Sequence, residues 1–156
     1  MRRFVVWMYA PETPHWSMPE ASLDRIRATL DSEWEVVPVR VALDATGDGV
    51  RVTPPEVVEA IGDAEVYCGW GIRPEVFVGA RNLRWFHSGA AGVRNSPCPE
   101  LRASDVQFTT SAGMFRDALA DHALAGMFYF TRGLDLAIRA QREKRWAQSE
   151  LNAPDS

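Results

Sequence analysis

The chain has little with which to build a cross-linked or metal-clasped domain. Its 156 residues include two cysteines, Cys68 and Cys98, which form no Cys-x-x-Cys pair. A disulfide scaffold and a zinc site are therefore not expected, and a reducing, cytoplasmic setting is. No apolar run approaches the length needed to span a bilayer, and the apolar stretch at residues 4–10 is cut short by Pro11 and Glu12. That stretch reads as a first strand rather than a secretory leader, and membrane is not an expected partner. Positive charge is not in excess: the formal net charge is -4, which gives no electrostatic reason to expect nucleic acid. No G-x-S-x-G elbow occurs, and Gly69-Trp70-Gly71 runs on into Ile72-Arg73-Pro74 rather than completing G-x-G-x-x-G. Internal repeats and low-complexity tracts are absent as well.

What remains is an ordinary globular composition, 46% hydrophobic and 24% charged, with room for one domain-sized core. Residues 4–9, 34–39, 64–68, 83–87 and 106–110 read as strands, the first continuously apolar as a strand covered on both faces should be, and those at 64–68 and 83–87 buried. Helical spacing separates them. Leu23, Ile26 and Leu30 carry a first helix to about residue 31, and Val57, Val58 and Ile61 carry a second that stops at Gly62. Pro74 opens a short third helix. Ser17-Met18-Pro19-Glu20 and Thr53-Pro54-Pro55-Glu56 fit the capping-box pattern, with Ser17 and Thr53 as expected N-caps. Residues 44–48 form a turn-rich insertion. Strands alternating with helices in this way predict an α/β domain, a parallel sheet with helices on both faces.

The stretch from residue 83 to 132 organises the rest. A strand runs into the glycine-bearing turn Ser88-Gly89-Ala90-Ala91-Gly92, a second strand follows, and then a helix spans residues 114–132. That helix is apolar nearly all round, through Phe115, Leu119, Leu124, Met127, Phe128 and Phe130, so it expects cover on more than one side. The glycine turn lies at the carboxyl end of a parallel strand, where open sheets bind ligands. Its backbone N–H groups could hold a carboxylate, or its glycines could serve turn geometry alone. Trp70 and Gly71, with Arg73 close behind, follow the third strand at the same edge. The indole could wall a pocket or merely pack, and Arg73 could attract an acid or merely be solvated. His15, His87 and His122 share no metal-ligand spacing.

The order Leu83-Arg84-Trp85, Ala90-Ala91-Gly92-Val93, Thr109-Thr110-Ser111, Ala120-Asp121-His122 and Arg132 resembles the substrate domain of the D-isomer-specific 2-hydroxyacid dehydrogenases, a family that includes glyoxylate/hydroxypyruvate reductases. The resemblance implies a flavodoxin-like three-layer fold with a five-stranded parallel sheet in the order 2-1-3-4-5 and a long C-terminal helix. It implies a substrate-binding domain over residues 1–133, then a helical extension over 134–156 that would lead to a nucleotide-binding domain. It further implies that consecutive amides at Ala91 and Gly92, beside Ala90, clamp the carboxylate of a small 2-oxo or 2-hydroxy acid. Two departures stand out: Arg94 where many members have Asp, and Asp121 where Glu is usual. The family's catalytic Arg, Glu and His and its NAD or NADP lie in the other half, so no catalytic residue and no cofactor of its own are expected for this chain. The implied partner is a nucleotide-binding domain, in cis or in trans; without it, the apolar surface of the long helix would be covered by a second copy in a homodimer or by a C-terminal segment folding back over it. The competing expectation is a stand-alone flavodoxin-like module that binds a small carboxylate, or regulates, without catalysis.

Overall fold

A computed structural model describes residues 1–46, 49–93 and 98–152. The chain divides into two compact units, Met1–Ala112 and Gly113–Ser156.

The first unit holds five strands, β1 (Arg2–Trp7), β2 (Trp34–Pro38), β5 (Val66–Gly69), β6 (Trp85–Ser88) and β7 (Gln107–Thr110). They lie parallel in the order β2-β1-β5-β6-β7, which is 2-1-3-4-5 when the sheet strands alone are numbered. The turn-rich insertion forms a short antiparallel pair, β3 (Ala45–Thr46) and β4 (Gly49–Val50). Helices α1 (Glu20–Thr29), α2 (Pro55–Gly62), α3 (Pro74–Gly79) and α4 (Pro99–Arg102) make the connections.

Side chains alternate across a strand, so the pairing register sorts them into rows. Val5, Tyr67, Phe86 and Phe108 are mutual partners along one row. Tyr67 stacks on Phe86 at 5.3 Å between centroids, and Phe86 on Phe108 at 5.1 Å. Stacked rings of this kind contribute about 0.5–1.5 kcal/mol per pair beyond their buried area. Val57 and Ile61 of α2, Val76 and Phe77 of α3 and Leu101 of α4 close over that face. Trp7 belongs to the same core, its indole N–H donating to the Val41 carbonyl at 3.0 Å.

The opposite face carries the row Val6, Cys68, His87 and Thr109. Leu23 of α1 seals Val6 and Cys68, and burial pushes the Cys68 thiol up to about 12, so it stays protonated and inert. His87 is half-buried. Its Nδ1 lies 2.8 Å from Thr109 Oγ1 and its Nε2 3.4 Å from Ser111 Oγ, while Thr109 Oγ1 also accepts the Trp85 indole N–H at 2.8 Å.

Neither expected N-cap caps its helix. Helix α1 starts at Glu20 behind Pro19, and Ser17 Oγ accepts the Ala10 N–H at 2.8 Å instead, closing the loop that precedes the helix. Helix α2 begins at Pro55 behind Pro54, with no side-chain cap from Thr53. In each case a proline holds the residue before the helix in extended backbone, and the missing proline N–H leaves one donor fewer to satisfy.

The second unit comprises α5 (Arg116–Thr131), α6 (Leu134–Arg142) and α7 (Gln148–Leu151). Gly133, at φ 60°, ends α5 and turns the chain into α6. No residue of α5 is buried, and Met127, Phe128 and Phe130 are 61%, 57% and 71% exposed. Leu134, Ile138 and Trp146 are exposed too, as is His122. Among the described residues no helix is long and apolar enough to cross a membrane.

Two outcomes test this packing. A Cβ on Gly69 would stand 2.1 Å from Tyr67 Oη and 2.5 Å from its Cζ, whereas one on Gly62 meets nothing within 4 Å. Gly69→Ala should lose about 1–3 kcal/mol in urea unfolding, while Gly62→Ala should gain about 0.5–1 kcal/mol; equal midpoints would contradict the register. The second concerns His87, whose pKa burial lowers below the ordinary histidine value. The unfolded chain takes up the proton first, so the stability from neutral His87 is complete above about pH 6.5 and declines as pH falls towards the folded pKa. The stability difference between wild type and His87→Asn should therefore shrink below about pH 6.5. A difference that is flat with pH would mean the imidazole titrates as freely as in solvent.

Candidate functional site

The carboxyl ends of β1, β5 and β6 bring together three loops. From β5 the chain makes the turn Gly69-Trp70-Gly71, whose shape Tyr67 dictates. The phenol donates to the Gly71 carbonyl at 3.0 Å, and its ring occupies the space that a side chain at residue 69 would need. Gly71 and Ile72 are buried, which leaves Trp70 as the half-exposed residue of the turn. Its indole N–H donates to the Trp16 carbonyl at 2.9 Å, and the two tryptophan rings lie 5.8 Å apart. Trp16 belongs to the loop after β1, which Ser17 closes onto Ala10.

The turn after β6 rests on these side chains. A Cβ on Gly89 would come 2.7 Å from Met8 Cε and 3.4 Å from Trp70 Cε3 and Cζ3. Glycine here is a demand of close approach, and the backbone leans on Met8 and Trp70 because nothing intervenes. Gly89 N–H donates to the Gly69 carbonyl at 2.8 Å, Ala90 N–H to Ser88 Oγ at 3.3 Å, and the Ala90 carbonyl accepts the Ser111 N–H at 3.1 Å. Ser88 is fully buried. The next two amides, Ala91 and Gly92, have no hydrogen-bond partner among the described residues, and Gly92 is exposed. Two consecutive N–H groups at a strand's carboxyl end, on a turn braced from below, can accept a carboxylate through charge-assisted hydrogen bonds.

Arg73 stands at the same edge but is engaged. Its Nε donates to the Glu75 carboxylate and its Nη1 to the Arg51 carbonyl at 2.6 Å, and the hydrogen bond from Arg73 holds Glu75 below the usual carboxylate range. Arg94 lies outside the described residues. Nothing in the residue pattern marked Met8, Trp16 or Ser17 as shaping this edge, since their contacts there are set by the tertiary fold.

The Gly69-Trp70-Gly71 turn is not shaped to cradle a dinucleotide. Helix α3 has only six residues, the glycine turn before it is filled by the Tyr67 ring, and the Gly71 carbonyl is already taken. No group of three His, Cys, Asp or Glu side chains among the described residues could hold a metal ion. A cavity of about 590 Å³ opens at the amino ends of the strands, beside Arg2, Trp34, Glu65, Arg84 and Trp85. There Arg2 is paired with Glu65 at 3.1 Å and stacked on Trp34. It is the wrong edge for a ligand of an open parallel sheet.

No protein-family model and no curated protein matches the sequence. Solved structures do match. A D-isomer specific 2-hydroxyacid dehydrogenase family protein from Aeromonas salmonicida subsp. salmonicida A449 aligns with 94% of this chain at 18% identity and a TM-score of 0.59. A phosphoglycerate oxidoreductase from Rhizobium etli aligns with 92% at 20% identity and a TM-score of 0.54. An acyclic imino acid reductase, Bsp5, in complex with NADPH and D-Arg aligns with 91% at 12% identity and a TM-score of 0.59. The chain covers 41% of the length of each of the three. The fold is thus one that this chain shares with part of D-2-hydroxyacid dehydrogenase structures.

Proposed function

We propose that this chain is the substrate-binding half of an NAD(P)-dependent oxidoreductase acting on D-2-hydroxy acids and the corresponding 2-oxo acids. The observation that carries the reading is the pair of open amides at Ala91 and Gly92, at the carboxyl edge of a sheet whose order matches those dehydrogenases. Their part is to hold and orient the carboxylate. Backbone amides suit the task because they bring no competing base and cost no side-chain ordering. Trp70 and the buried Gly71 wall the site, with Ala90 between the wall and the clamp. Nicotinamide, in a separate nucleotide-binding domain in cis or in trans, supplies the hydride; no described residue here moves a proton for that step. The apolar side chains of α5 and α6 fit cover by that domain or by a second copy of this chain.

With the ligand open on one side, affinity for pyruvate or glyoxylate should be about millimolar, close to -4 kcal/mol. In a titration of nitrogen-labelled protein, the amide signals of residues 88–93 should move before any others. Gly92→Pro, which deletes one N–H, should remove the response, and Gly92→Ala, whose Cβ meets nothing within 4 Å, should retain it. Neither NADH nor NADPH should be turned over with these acids by the chain alone. Turnover that survives repurification, or shifts confined to other residues, would overturn the reading. Binding by the chain, without any activity when a matching nucleotide-binding domain is supplied, would favour a stand-alone carboxylate-binding module.

A further inference from the structure

Resting on the reading that Ala91 and Gly92 hold the carboxylate, we infer that Trp16 and Trp70 form the side-chain end of the same site. The acid it selects is then monocarboxylic, with an aromatic or bulky apolar substituent, rather than one carrying a second anionic group. Three observations carry this. The Trp70 indole is not a loose surface ring: its N–H is tied to the Trp16 carbonyl at 2.9 Å, and the rings lie 5.8 Å apart at 44°. Both remain half-exposed, so each keeps an open face. The six-membered ring of Trp70 also lies against Gly89, within the turn that carries the two amides, with Met8 Cε beside it. The surface next to the clamp is therefore apolar and pre-ordered, and a flat substituent can stack there with little loss of side-chain freedom.

Among the described residues, the cations of this edge point the same way. Arg73 is bonded to the Glu75 carboxylate and the Arg51 carbonyl, and Arg40 to the Glu20 carboxylate. Neither guanidinium is offered to a second carboxylate or a phosphate.

The test is a titration of labelled protein with phenylpyruvate, glyoxylate and 2-oxoglutarate. Amides 88–93 report the clamp, and the Trp70 indole N–H reports the side-chain end. Phenylpyruvate should bind about 10-fold more tightly than either other acid, and it alone should shift the indole signal. Trp16→Ala should narrow the preference to about 3-fold or less. Trp70→Phe, which keeps a ring but loses the bond to Trp16, should narrow it in part and serves if Trp16→Ala fails to fold. Equal affinities, or tightest binding of 2-oxoglutarate, with the 88–93 amides still moving, would overturn the inference while leaving the carboxylate clamp standing. If no acid moves those amides, the clamp fails and this inference fails with it.

Discussion

Tyr67 ties the core of the first unit to the carboxyl edge of its sheet. Its ring sits in the row with Phe86 and Phe108, its hydroxyl holds the Gly71 carbonyl, and its bulk requires residue 69 to be glycine. Burial pushes the phenol far above its ordinary pKa, so it remains a neutral donor at any physiological pH. The turn after β5 is thereby fixed, Trp70 is presented outward, and the turn after β6 leans on Trp70 through Gly89. Each step passes through contact at van der Waals distance, so a lost or added methyl group early in the series would be felt at the amides of Ala91 and Gly92.

The electrostatics of this edge are mild. Its ion pairs, Arg73 with Glu75 and Arg40 with Glu20, are between exposed side chains and contribute little to stability, about 0–1 kcal/mol each. They matter by occupying the guanidiniums. On the proposed reading, recognition of an acid falls to backbone dipoles, which do not titrate, and selectivity among acids to the apolar wall.

Much of the fold could be read from the residues. Runs rich in apolar residues marked every strand of the sheet to within about two residues, most cleanly β5, which is buried throughout. The order of the strands came from the resemblance, since pattern alone does not say which strand lies beside which. The capping boxes misled because prolines already held those helix starts, which freed Ser17 to bond Ala10. The three-way contact of Trp85, His87 and Thr109 was invisible for a different reason. It depends on register between β6 and β7, and a one-residue slip would send these side chains to the opposite face. At the site, the glycine turn and Trp70 were legible as candidates. What Arg73 bonds to, and which loop Trp70 holds, were not, since both partners are distant in the chain.

The central claim is that a carboxylate belongs on the Ala91 and Gly92 amides. The most direct measurement is a crystal structure with oxamate, an unreactive analogue of a 2-oxo acid, soaked or co-crystallised at saturating concentration. The account predicts carboxylate oxygens within about 2.7–3.2 Å of both backbone nitrogens, with the rest of the molecule directed towards Trp70. Ordered oxamate bound instead beside Arg2 and Arg84 at the amino ends of the strands, with the 88–92 turn empty, would contradict it.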